Sequence, residues 1–286
     1  GTPASAATVL DGYPMAKKGE AGRALGLSTL ASMFGGVFST IALVLIAPLL
    51  AKVATGFSSA EYFALAIFGI SIITSVSSQS VIKGLIGGVL GLFIATIGLD
   101  PMTSGMRFTF DSIYLMGGIS FIPVLVGLFA FSQGLLSLEE DHRERIAGIV
   151  RQTKSKIDRI LPTWSDIKRV MPTYIRSSVI GTGIGAIPGT GGDIASFIAY
   201  NEAKRWSKHP EEFGHGSPEG VSAPEAGANS VAGGAMVPLM TLGIPGDGAT
   251  AIIMGAFMVQ GLALGPQLFT EHPVEVNSIF IGLFAA

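Results

Sequence analysis

The sequence predicts an all-α polytopic membrane protein, made of two related halves whose helices are re-entrant or broken at Gly-Pro motifs. Three observations carry this. Apolar residues fill 49% of 286 positions against 13% charged, and a mean hydropathy of +0.57 lies outside the balance of a water-soluble domain. Apolar runs of about 20 residues recur, the length a helix needs to cross about 30 Å of hydrocarbon, where the backbone can bond only to itself. Glycine–proline breaks then interrupt some of those runs. The same composition excludes other classes. A net charge of −2 recruits no nucleic acid, and the absence of cysteine removes disulfides and thiolate metal sites. His142, His209, His215 and His272 form no metal-ligand spacing.

The first half, 1–136, carries a binding motif and about four crossings. The motif is "GTPASAAT" at 1–8. Crossings are predicted near 24–50, 62–77, 81–99 and 113–136, the second being short and polar at its end, "SVSSQS". Small residues four apart, Ser32 with Gly36 and Gly84 with Gly88, would let helix backbones approach closely. Lys83 and Arg107 are expected to snorkel to the membrane borders. Residues 137–176 hold nine of the 18 basic residues, so this loop is expected on the cytoplasmic side. Four crossings between it and Lys17, Lys18 and Arg23 put that earlier cluster inside as well. The interspersed Glu139, Glu140, Asp141 and Glu144 would repel phosphate.

The second half, 177–286, contains two interrupted segments. A single crossing after Ser177 would put Lys204, Arg205 and Lys208 outside, against the positive-inside trend. A re-entrant hairpin avoids this: an arm of about ten residues enters, "PGTGG" at 188–192 turns, and a second arm returns. Proline there removes a donor, and Gly189, Gly191 and Gly192 allow the positive φ of a sharp reversal. The hydrophilic "HPEEFGHGSPEGVSAPEAG" follows, and then an interrupted segment near 229–264 is split by "GIPGDG" at 243–248. The chain opens without methionine and stops inside the apolar "NSIFIGLFAA", which suggests a fragment of a longer protein.

Offset by 242 positions, Gly1, Pro3, Ala7 and Thr8 match Gly243, Pro245, Ala249 and Thr250. Interrupted hydrophobic segments at corresponding places point to a midplane ligand site. A half-helix that starts after a break offers unpaired N–H groups and a positive dipole end, both suited to an anion. On this reading Ser5, Ala6, Ala7 and Thr8 face Asp247, Gly248, Ala249 and Thr250 across a carboxylate pocket, with Ser5 and Thr8 adding hydroxyl donors. Asp193 and Asp247, each directly after a glycine-rich break, are the candidates for ion coupling, by carrying a proton or by holding Na⁺; no other metal is expected. Either could equally cap the helix it begins. "GTGIGA" at 181–186 fits a loose dinucleotide fingerprint, but Pro188 would break the helix it requires and no βαβ unit surrounds it. No organic cofactor is expected.

Three blocks, "TPASAATVLDGYPMAKKGEAGRALG" (2–26), "IPGTGGDIASFIAYNEAKRWSKHPEEFGHGSPEGVSAPEAGANS" (187–230) and "GGAMVPLMTLGIPGDGATAIIMGAFMVQGLALGPQLF" (233–269), resemble the large membrane subunit of bacterial tripartite tricarboxylate transporters. The resemblance covers nearly the whole chain. It implies a multi-pass protein of the bacterial cytoplasmic (inner) membrane that imports citrate-like or other carboxylates, driven by a Na⁺ or H⁺ gradient. It implies as partners a small membrane subunit and a periplasmic solute-binding protein. The family's motifs fall on Gly1 to Thr8, Pro188 to Asp193 and Gly243 to Thr250, which adds Gly189, Thr190, Gly191, Gly192 and Gly246 to the expected substrate site. Asn229, after "EAGA", matches a further polar position. Two other classes are the alternatives. A passive anion channel would need no coupling site, and an intramembrane enzyme using Ser5 or Ser196 lacks a histidine in an apolar segment to act as base.

Overall fold

The longest helix shows how this chain builds an interior. Ala21–Ala54 (α2) runs 34 residues, about 51 Å at 1.5 Å per residue. Its buried positions, Ala24, Leu27, Ala31, Gly35, Ser39, Leu43 and Ala47, recur every three or four residues and are mostly small. The opposite face exposes Leu25, Met33, Val37, Ile41, Leu45 and Leu49. Small residues inside and large apolar ones outside suit a helix that packs backbone to backbone and turns its bulk to lipid. Among the described residues it is the one helix long and apolar enough to cross a membrane.

The computed structural model describes residues 3–61, 63–64, 67, 81–100, 103, 105–120, 123–124, 126–131, 135 and 160–286. Most of the second expected crossing, the end of the fourth, and the basic loop as far as 159 lie outside the described residues. The fold is all-α apart from one short hairpin. Packing divides it into two units, the first comprising Gly1–Thr55, Ile149–Thr250 and Ala263–Ala286, the second Gly56–Gly148 and Ala251–Leu262.

In the first unit, Ala6–Lys17 (α1) follows a 3₁₀ turn at Pro3–Ser5. Trp164–Gly185 (α4) is opened by a capping box: the Thr163 hydroxyl accepts the Asp166 N–H, and Asp166 accepts the Thr163 N–H at 3.0 Å. This start draws the polar "WSDIKRVMPTYIR" into the helix. The hairpin arms are therefore 22 residues here and 16 in Gly191–Trp206 (α5), longer than the ten or so expected. Between them the chain reverses with Gly189 and Gly191 at φ 85° and 67°.

Pro218–Leu242 (α6) is the central helix, buried along nearly all its length between α2, α4, α5 and α1. Ser217 caps it, Pro218 occupies its first turn, and Gly243, left-handed at φ 69°, ends it. It begins well before residue 229, so the hydrophilic "PEGVSAPEAG" is helical and, apart from the half-buried Glu225, buried. Its small residues permit this. A methyl on Gly181 of α4 would lie 2.0 Å from the Gly227 carbonyl oxygen, and one on Gly35 of α2 would lie 2.4 Å from that of Ala226. On α2 the close approach is made by Gly35; a methyl on Gly36 would meet nothing within 4 Å. Gly248–Val259 (α7) begins after the 243–247 break, and Pro273–Ala285 (α8) packs on α2.

In the second unit, Val81–Ala95 (α3) is 15 residues long, shorter than the run to residue 99 that the sequence predicts. The chain turns at Gly98, φ 128°, into an antiparallel pair of Gly98–Leu99 (β1) and Met106–Arg107 (β2). Arg107 there pairs with Asp100.

Candidate functional site

The three proline–glycine breaks meet in the first unit. The Gly189 N–H donates to the Gly246 carbonyl at 2.6 Å, so the α4–α5 turn and the α6–α7 turn touch main chain to main chain. A methyl on Gly246 would lie 2.5 Å from the Ala235 Cβ and 2.7 Å from the Gly185 oxygen. The first break reaches the same place: a methyl on Gly192 would lie 3.7 Å from the Ala4 Cβ. The starts of α1, α5 and α7 thus converge, each with main-chain N–H groups that have no intrahelical partner.

The individual candidates divide by how they are occupied. Ala7 is fully buried, packed with Ala199, Tyr200, Ala203, Phe213 and Ala223, while Ala6 is exposed. The Thr190 hydroxyl donates back to the Ile187 carbonyl at 2.8 Å and to that of Ile184, closing the end of α4. Gly191 and Gly192 form the first turn of α5, and Asp193 stands exposed beside them, its carboxylate without a partner among the described residues. Ser196, fully buried, donates to the Asp193 carbonyl at 2.7 Å. Asp247 caps α7: its Oδ1 accepts the Thr250 N–H at 2.8 Å and the Thr250 hydroxyl at 2.7 Å, and its own N–H donates to Thr250 Oγ1 at 2.9 Å. Gly248 is half-buried and Ala249 exposed between them. At the two later breaks the threonine hydroxyls are thus held by the turn and the cap, and Asp193 is the exposed carboxylate beside them.

At the first break the arrangement is different. Ser5 and Thr8 line a cavity of about 430 Å³ between α1, α2 and α6, together with Tyr13, Ser28 and Glu225. The Thr8 hydroxyl donates to Glu225 Oε1 at 2.8 Å, and the Ser32 hydroxyl to Glu225 Oε2 at 2.9 Å. Asn229, one turn beyond Glu225, gives its amide N–H to Ser32 Oγ and to the Glu225 carbonyl, both at 3.0 Å. Gly189, Thr190, Asp247 and Thr250 do not line this cavity. Glu225 escaped the sequence reading because it lies in the hydrophilic stretch placed before the interrupted segment expected to start near residue 229. Its signal is an acid flanked only by Ala, Pro, Gly and Ser.

A second carboxylate the sequence did not single out organises the scaffold. Asp11 of α1 is fully buried. Its Oδ1 accepts N–H bonds from Gly214 at 2.9 Å and from Gly216 and Ser217 at 2.8 Å, and its Oδ2 accepts the Tyr200 hydroxyl at 2.9 Å. Three convergent main-chain donors make an anion nest. This one fixes α1 against the start of α6 and against α5, and so sets where Thr8 stands relative to Glu225. Away from the apolar region, burial pushes the Asp166 carboxyl up, but bonds from Arg23 and Thr163 outweigh it and hold it at about 2.

A family model described as "Tripartite tricarboxylate transporter TctA family" matches residues 1–286. The chain is 39% identical over 289 residues to an uncharacterized 52.8 kDa protein in the TAR-I ttuC' 3' region of Agrobacterium vitis, an alignment covering 100% of this chain and 55% of that protein. It is 43% identical over 106 residues to an uncharacterized protein in the TAR-II ttuC' 3' region of the same organism, covering 37% of this chain and 42% of that protein. The chain spans about half the length of the curated relatives it matches. No solved structure matches it.

Proposed function

The chain belongs to the tripartite tricarboxylate transporter TctA family, membrane components of a transport system, and from that premise we propose that it supplies the substrate path of a secondary carboxylate transporter. It works in the bacterial inner membrane with a small membrane subunit, and a periplasmic binding protein delivers the substrate. The substrates are tricarboxylates or related dicarboxylates, driven inward by an ion gradient. The observation that carries this reading is the convergence of three helix-opening breaks, joined by the 2.6 Å bond from Gly189 to Gly246. An organic anion at that point is met by helix-start N–H groups from α1, α5 and α7, while Ser5 and Thr8 line the cavity between α1, α2 and α6. The motif shared by 1–8 and 243–250 supports two related halves, each giving one wall. Asp193, exposed beside the α5 start, remains the coupling candidate at the second break, whereas Asp247 at the third acts through its cap on α7.

The test is uptake of labelled citrate and succinate into proteoliposomes holding the full-length protein and its small subunit. It is run with and without the binding protein and with each ion gradient collapsed in turn. Accumulation above the external concentration that needs both the binding protein and a gradient is the expected result. Uptake that only equilibrates, without regard to either, overturns the transporter reading in favour of a channel.

A further inference from the structure

Resting on the carboxylate-transport reading above, we propose that Glu225 is a proton-carrying residue whose protonation frees the Thr8 hydroxyl to bind the substrate anion. Glu225 is half-buried on the central helix, against a cavity whose walls are otherwise hydroxyl-bearing or apolar. None of the ion pairs among the described residues includes it. An acid on the central helix that meets only hydroxyl donors, with no cationic partner among the described residues, is a seat for a proton or a cation.

The bond directions favour the proton. The Glu225 carbonyl can only accept, so the part of the Asn229 side chain facing it is the NH₂ group. That NH₂ also donates to Ser32 Oγ, which turns the Ser32 proton toward Glu225 Oε2. Oε2 is therefore held as an acceptor, and the remaining place for a proton is Oε1, opposite Thr8. A sodium ion would need several free oxygen ligands, whereas the Asn229 N–H here already occupies Ser32 Oγ.

Thr8 carries one hydroxyl proton. When Glu225 is ionised, that proton is committed to Oε1. When Glu225 is protonated, its O–H donates to Thr8 Oγ1, and the Thr8 O–H turns into the cavity beside Ser5. The incoming carboxylate gains a donor and loses a like-charged neighbour in the same step. No bond other than Oε1–H is made or broken, and the proton comes from water. Other titratable groups on the packed helices are engaged elsewhere or stand apart. Asp11 and Tyr200 bond each other, Arg23 holds Glu20 and Asp166, and Arg169 holds Glu212 and Glu219. The Tyr174 hydroxyl donates to the Leu27 carbonyl and Asp193 is exposed at the α5 start, whereas Tyr13 shares the cavity wall with Glu225 and has Lys17 over its ring.

The experiment measures citrate binding to the full-length protein in nanodiscs between about pH 7 and about pH 9, where citrate is fully ionised, in buffers of differing ionisation enthalpy. With wild type, binding takes up about one proton, and affinity falls about tenfold per pH unit where Glu225 is ionised. Glu225→Gln binds citrate with no proton uptake and a flat pH profile; in proteoliposomes it exchanges citrate but does not accumulate it. Thr8→Ser keeps the wild-type slope, and Thr8→Val lowers affinity at least tenfold and flattens the slope. The Thr8 pair decides the matter even where Glu225→Gln yields no folded protein. Proton uptake unchanged in Glu225→Gln, a wild-type slope in Thr8→Val, or a Na⁺ requirement without proton uptake overturns the proposal. Failure of wild type to bind citrate or succinate at all instead overturns the transport reading on which it rests.

Discussion

Removing the Asp11 carboxylate tests the scaffold most directly. Four donors converge on it, but they are not equally placed. Gly214 is exposed and Gly216 half-buried, so water can replace the carboxylate for their N–H groups, whereas Ser217 is fully buried and Tyr200 is 7% exposed. In Asp11→Ala two buried donors lose their acceptor, at about 1–3 kcal/mol each, for a total of about 2–6 kcal/mol. Asp11→Asn keeps an acceptor toward the three main-chain donors but turns an NH₂ group toward the Tyr200 hydroxyl and loses the charge assistance, costing about 1–2 kcal/mol. The full-length protein in detergent micelles, unfolded by denaturant and followed by tryptophan fluorescence and far-UV circular dichroism, should rank wild type above Asn above Ala. An Asp11→Ala protein within about 0.5 kcal/mol of wild type, or an Asn variant weaker than Ala, would refute the assignment of the nest as the anchor of α6.

Three further outcomes follow from the packing and the caps. Gly181→Ala should cost about 1–3 kcal/mol because its methyl meets the Gly227 carbonyl oxygen at 2.0 Å, while Gly183→Ala, with nothing within 4 Å, serves as the silent control; equal melting temperatures would contradict the close α4–α6 approach. Asp247→Ala and Thr250→Val should each cost about 1 kcal/mol, and the double variant little more than either, since both break one reciprocal cap; additive losses in a double-mutant cycle would show the two act separately. The folded Asp166 carboxyl titrates at about 2, below its usual 3.8, so its contribution to stability is whole above about pH 4 and fades as pH falls toward about 2. The stability difference between wild type and Asp166→Asn should shrink over that window, and a difference constant down to pH 2 would rule out the pairing with Arg23.

The breaks were legible because proline and glycine act locally: the reversal at 188–192 and the stop at Gly243 need only φ and a missing donor. The long α2 was legible because its hydropathy is carried by residues that stay on its surface. The first half of α6 was not, since Gly220, Ser222, Pro224 and Gly227 are polar or small in any scale, and their burial follows from how closely α2 and α4 can approach them. Hydroxyl roles were half legible. Sequence places Thr8, Thr190 and Thr250 in equivalent motifs, but whether a hydroxyl turns to its own turn, as at Thr190, or across to Glu225, as at Thr8, depends on which helix packs opposite. Asp11 and Glu225 were hidden for the same reason: an acid gains its meaning from donors some 200 residues away.

The bond between Gly189 and Gly246 carries a lesson for anyone scanning this protein by mutagenesis. Both its atoms belong to the peptide chain, so every replacement at Gly246, and every one at Gly189 except proline, which has no N–H to give, alters bulk and torsion without deleting the link itself. Only swapping the amide for an ester, by installing glycolic acid in place of Gly189, would sever it cleanly, and a deep substitution map will record the two loops as independent when they are stitched together.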